Sequence, residues 1–208
     1  MNNKHKISKW IGNILLFTGA AWILLLMVNL YANQFEQKKY MDAFSAMKAD
    51  AASAMIKPEA ADDSMIPPEN QNARKSDQLE GILEIPQIEL KAPVQLGADE
   101  RTLAAGLGAI ENMDAPGETG GSYAIAGHQS YTFGHYFNRL HEMKEGQIFT
   151  FETVDEKQVY EVFDIQIVKP EQVEVLDRQN EIALMSLITC YPERSNTFRL
   201  VVQAKRIQ

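Results

Sequence analysis

The chain has 208 residues, room for one domain of ordinary size with appendages. Hydrophobic residues at 45% and charged residues at 23% exclude a wholly disordered or fibrous chain. A net charge of -8 excludes a general nucleic-acid binder, which needs a basic surface, and the single cysteine, Cys190, excludes an internal disulfide, a cysteine-based zinc finger and a four-thiolate iron–sulfur site.

Lys4, Lys6 and Lys9 open the chain, and no charge follows until Glu36. Between them runs Ile11–Leu30, IGNILLFTGAAWILLLMVNL, with Trp10 and Tyr31 at its ends. A helix of about 20 predominantly apolar residues spans a bilayer, and aromatic rings favour its interfaces. The reading is a cytoplasmic tail at 1–9 and a transmembrane anchor at 10–32, with everything beyond it extracellular by the positive-inside rule. The alternative is a cleaved signal peptide, but its apolar core is only about 7–15 residues, and Leu30-Tyr31-Ala32 is a poor cleavage site.

Residues 33–78 are expected to form a stalk and linker. Residues 33–57 contain no Gly or Pro and favour helix. Pro58, Pro67 and Pro68 then punctuate a polar stretch too poor in apolar surface to offset the entropy of ordering.

From residue 79 to 208 the pattern changes to short β-type runs. They are Gly81–Pro86, Ile88–Leu90, Pro93–Leu96, Tyr123–His128, Gln147–Thr153, Lys157–Val168, Ile182–Thr189 and Phe198–Ala204. Many short strands with frequent turns predict an all-β barrel or sandwich, its prolines at strand ends. Residues 99–113 and 133–143 are expected to be short helical connections.

Cys190 follows the apolar run and precedes Tyr191-Pro192. A free cysteine packs well as a small hydrophobe, so its count alone leaves an inert thiol and a nucleophile equally open. A strand-end position suits display of a catalytic group. A cysteine nucleophile needs a partner for its proton. His128 ends AIAGH much as Cys190 ends SLITC, while His135 and His141 lie in a separate polar segment and His5 precedes the apolar run. Acyl chemistry also needs a donor for a developing oxyanion. Arg199 alternates away from the apolar face of FRLVVQA; Arg194 sits in the turn PERSN and is the second candidate.

These residues resemble the sortases, membrane-anchored cysteine transpeptidases of Gram-positive bacteria. AIAGH (Ala124–His128), SLITC (Ser186–Cys190) and the trailing FRLVV with Arg199 match the family's histidine strand end, its TLxTC signature and its arginine strand. Gly81–Val94 is similar to its first strands. The resemblance implies an eight-stranded β-barrel over residues 79–208. It implies that Cys190 attacks the Thr carbonyl of an LPxTG-like sorting signal, that His128 protonates the leaving amine, and that Arg199 holds the oxyanion. A thioacyl enzyme then passes the cut protein to an amine of a peptidoglycan precursor of lipid II type. The expected partners are that precursor, secreted proteins bearing the signal, and the membrane. No cofactor and no metal is implied. Calcium activation occurs in part of the family, and Asp99, Glu100, Glu171 and Glu174 are either ligands or solvated surface. Ala126, Ser186, Ile188, Thr189 and Val201 are the expected substrate contacts.

Ser186 stands where the family usually has Thr, and Gln129 where many members have Arg. Cys190-Tyr191-Pro192 resembles class D, and neither a second apolar span nor an Asp-Pro-aromatic lid motif is seen, against class C. Two rivals stay open: a cysteine endopeptidase acting by hydrolysis, and a non-enzymatic anchored binding module.

Overall fold

The computed structural model describes residues 10, 15–25, 27, 38–39, 41–49, 79–129, 136–193 and 195–208. The chain divides into two compact units, Met1–Lys38 and Lys39–Gln208. In the first, residues 15–25 are helical, and Leu16, Phe17, Trp22 and Leu25 are all exposed. Among the described residues no helix is long and apolar enough to cross a membrane. The expected tail at 1–9 and most of the linker lie outside the described residues, as do parts of the expected anchor.

The second unit is built on eight strands: β1 (Leu79–Ile85), β2 (Leu90–Leu96), β3 (Leu107–Ala109), β4 (Ser122–Gly127), β5 (Ile148–Glu152), β6 (Lys157–Val168), β7 (Leu184–Tyr191) and β8 (Phe198–Arg206). They close a barrel in the order β1-β2-β3-β4-β7-β8-β6-β5. The β2–β3 and β4–β7 pairs are parallel and the other pairs antiparallel. Closure leaves no free sheet edge. Alternate residues of each strand fill the interior: Leu83 and Ile85 on β1, Ile125 on β4, Met185 and Leu187 on β7, Leu200 and Val202 on β8.

The expected barrel is present, but its strands are divided differently. Ile88–Leu90 and Pro93–Leu96 are not two strands. Pro86–Ile88 forms a 3-10 turn and a single β2 follows. Pro93 therefore lies inside a strand rather than at its end. It is tolerated because β3 pairs with β2 only from Val94 onward, so no ladder bond to β3 is lost. The expected helix at 99–113 is helical only over Glu100–Ala105, capped by Asp99, whose carboxylate accepts from the Thr102 N–H at 2.7 Å. The three-residue β3 follows, too short for period-2 alternation to announce it. Of the expected helix at 133–143, only the 3-10 turn Leu140–Glu142 is seen among the described residues.

Residues 41–49, expected to belong to the stalk, form a helix packed on the barrel. Phe44 is 5% exposed against Leu79 and Ile82 of β1, with Met41 and Val154 alongside. Lys48 pairs with Glu152 of β5 and holds that carboxyl below the usual carboxylate range.

One irregularity shapes the site. β6 is bulged between Val162 and Asp164. Tyr160 and Val162 face inward before the bulge and Ile165 after it. The change of parity turns Asp164, Gln166 and Val168 outward, level with Gln203, Val201 and Arg199 of β8.

Candidate active site

β4, β7 and β8 stand side by side in the barrel wall. The parallel β4–β7 register sets Ala126 level with Ile188. Carried two residues further, it sets His128 level with Cys190. The Thr189 hydroxyl donates to the Gly127 carbonyl at 2.8 Å and holds that register to the strand end. Across the antiparallel β7–β8 pair, Cys190 faces Arg199 and Ile188 faces Val201. Tyr123, Ile125, Met185, Leu187, Leu200 and Val202 point into the core, so the residues between them point out. Cys190 and Arg199 thus form one row on the outer wall, and His128 follows the end of β4, level with Cys190 when the parallel register is carried past Ile188. Ala126, Ile188 and Val201 form the row below, and Ala124, Ser186 and Gln203 the next.

His128 is exposed, and Cys190 and Arg199 are half-buried. Cys190 is a free thiol. Arg199 Nη1 donates to the carbonyls of Asn196 and Phe198, each at 3.0 Å. Its remaining donors have no partner among the described residues, leaving them available to an oxyanion. The competing Arg194 lies outside the described residues, as does His135; His141 sits in the Leu140–Glu142 turn.

Gly127 sets how His128 is held. A Cβ at this position would stand 2.6 Å from Leu107 Cδ2 and 2.8 Å from Phe137 Cδ2. Only glycine lets the strand end lie against the fully buried Phe137. The Phe137 N–H in turn donates to the His128 carbonyl at 3.2 Å.

The connection from β6 to β7 lies across the lower rows of this wall. Gln203 Nε2 donates to the Val175 carbonyl and Ser122 Oγ to the Leu176 carbonyl, both at 2.7 Å. Arg178 grips Asp114 with two donors, Nε at 2.8 Å and Nη2, and Asp114 also accepts from the Ser122 N–H at 2.8 Å. Arg178, and after it the Ser122 N–H, hold the Asp114 carboxyl below the usual carboxylate range.

The expected substrate contacts therefore separate. Ala126 and Ile188 are half-buried and border the row of Cys190 and Arg199. Val201, 1% exposed, and Ser186, 0% exposed, face the same side but are covered. Ser186 Oγ has no hydrogen-bond partner among the described residues. Thr189 is a correction: it points inward, is 3% exposed and spends its hydroxyl on Gly127, so it clamps two strands instead of meeting a ligand on the outer wall. Sequence reasoning missed Asp114 with Arg178, and Gln166 and Val168. The first pair is separated by 64 residues and leaves no local signal, and the second depends on the β6 bulge. Among the described residues no cluster of His, Cys, Asp or Glu could hold a metal ion.

Fold and wall together define a class: a closed eight-stranded β-barrel that carries a free cysteine on its outer wall. The sequence model of the sortase domain matches residues 83–207. The chain is 29% identical over 126 residues to sortase A of Bacillus anthracis, covering 60% of this chain and 58% of that relative. It is 26% identical over 197 residues to sortase A of Staphylococcus aureus, covering 92% and 94%. It is 30% identical over 115 residues to sortase D of Bacillus subtilis, covering 55% and 56%. The match thus spans little more than half the length of two of these three relatives. The crystal structure of sortase C-1 from Actinomyces oris is similar with a TM-score of 0.61 at 28% identity, over 80% of this chain and 99% of that one. The chain belongs to the sortase family of cysteine transpeptidases.

Proposed function

We propose that this chain cleaves an LPxTG-like sorting signal after Thr and transfers the cut protein to an amine of a peptidoglycan precursor, with Cys190 as nucleophile. The observation that supports the reading is Cys190 set opposite Arg199 on the outer wall, beside the strand end that leads into His128. The Cys190 thiolate attacks the Thr carbonyl. Arg199 stabilises the oxyanion with the guanidinium donors its own loop leaves unused. His128, as imidazolium, protonates the departing amine. Sulfur is then acylated, the Thr–Gly bond is broken, and an incoming amine displaces the thioester and restores the thiol.

A neutral, largely apolar lining suits Leu-Pro-x-Thr, and the half-buried Ala126 and Ile188 lie below the nucleophile to receive it. The apolar run Ile11–Leu30, helical and exposed over residues 15–25, supports an anchor in the cell membrane, and the lysines before it support a barrel on the outer side. Anchoring raises the enzyme's effective concentration at a lipid-linked acceptor. Cys190-Tyr191-Pro192 supports class D within the family.

The hydrolytic rival uses the same first step, so acceptor dependence separates the two. An internally quenched Leu-Pro-Glu-Thr-Gly peptide, mixed with the full chain with and without a diaminopimelate-containing acceptor, is expected to yield the joined product at the expense of free acid. Free acid alone, at the same rate in both mixtures, would favour an endopeptidase.

A further inference from the structure

The β4 ladder ends at Gly127, one row before the nucleophile. β7 continues past it through Cys190 to Tyr191 and turns at Pro192. Beyond Gly127 no β4 backbone donor is paired with β7, yet Cys190 and Pro192 carry carbonyls on that side. Gln129, the residue after His128, meets both. Its carboxamide end lies against both, and because an amide oxygen cannot face two carbonyl oxygens, the orientation that satisfies the group puts its nitrogen there, donating to the Cys190 carbonyl at 3.1 Å and to the Pro192 carbonyl at 3.2 Å. A primary amide nitrogen carries two N–H groups, so each carbonyl takes one. The side chain replaces the ladder where the backbone leaves off. One end of this strap is the neighbour of the imidazole, and the other is the nucleophile's own peptide group.

We propose that Gln129 is a positioning residue: it ties the strand end bearing His128 to the strand end bearing Cys190 and keeps imidazole and thiol within working distance. The proposal rests on Cys190 and His128 being the reacting pair. Without the strap the two ends part independently, and the thiol loses the imidazolium that sustains its reactive form. A misplacement of one ångström costs about 10²-fold in rate, and a loosened strap is expected to cost less.

Cys190 is the chain's single cysteine, so alkylation by iodoacetamide reads it alone. In the full-length chain at neutral pH, Gln129→Met, which keeps the length and removes both donors, is expected to slow alkylation about tenfold with no change in thermal midpoint. With the quenched Leu-Pro-Glu-Thr-Gly peptide the loss is expected in kcat, with KM unchanged. Gln129→Arg, which restores donors, is expected to recover most of both rates. Alkylation of Gln129→Met at the wild-type rate, or a loss that follows a lowered thermal midpoint and is not recovered by Gln129→Arg, would overturn the strap while leaving the nucleophile intact. Peptide turnover retained by Cys190→Ala would overturn both.

Discussion

Gly127, between the core and His128, has no room for a single methyl group. Its Cβ would press on Leu107 and on Phe137, whose N–H also binds the His128 carbonyl. Overpacking of this kind costs about 1–3 kcal/mol, and here the relief is a shift of the strand end that carries the histidine. Gly127→Ala is expected to remain folded and to lose peptide turnover by about 10²-fold, the scale of an ångström's misplacement. Steady-state kinetics beside a melting curve check this. Arg199→Ala is expected to lower the rate by about 10²–10³, as loss of one oxyanion donor does; an unchanged rate would remove Arg199 from the mechanism. At this scale much was legible. Cys190, His128 and Arg199 stood out in the sequence because alternation and strand-end position are local properties. The inward turn of Thr189 follows from the same alternation, but its bond to Gly127 depends on a neighbour 62 residues away. Gln129 was visible as a departure from the family, whereas its two carbonyl partners became visible only when β4 and β7 were laid side by side.

The β6–β7 connection is the element that lies across the lower rows of the outer wall. Two of its carbonyls are bound by Gln203 and Ser122, and Arg178 locks it to Asp114. The folded Asp114 carboxyl lies below its unfolded value, chiefly because of Arg178. A carboxyl lowered on folding stabilises fully above its unfolded pKa, about 3.9, and that contribution is lost as pH falls through the folded value. Asp114→Asn is therefore expected to lower the thermal midpoint at pH 7, and the gap to wild type is expected to close as the pH drops below about 4. Melting curves from pH 7 to 3 test the sign; a gap constant across that range would contradict it. None of this was legible in sequence. The Arg178–Asp114 pair joins two irregular loops, and β3 has only three residues in which to show a period. The β6 bulge, too, hides in a run that alternates almost without fault.

Across the whole molecule the barrel was legible because each of its long strands repeats apolar residues at period two. The outer face of β1 was not, since Leu79 and Ile82 are buried by a helix lying far upstream. Residues 41–49 read as stalk because Phe35, Tyr40, Phe44 and Met47 form only a loose apolar stripe; the barrel supplies the missing partner for Phe44. Phe44→Ala is expected to destabilise the barrel by about 3 kcal/mol, at the low end for a buried Phe, while leaving Cys190 alkylation unchanged. Denaturant unfolding measures the first and thiol labelling the second.

The central claim is that a cut polypeptide is held on one sulfur. Whole-protein mass spectrometry after rapid acid quench, with a small LPxTx peptide library and no amine acceptor, tests it most directly. The expected result is a mass gain equal to the acyl half of a peptide, mapped by digestion to the fragment containing Cys190, discharged by hydroxylamine and absent from Cys190→Ala. Peptide cleavage with no adduct at Cys190, or an adduct on any other residue, would contradict it.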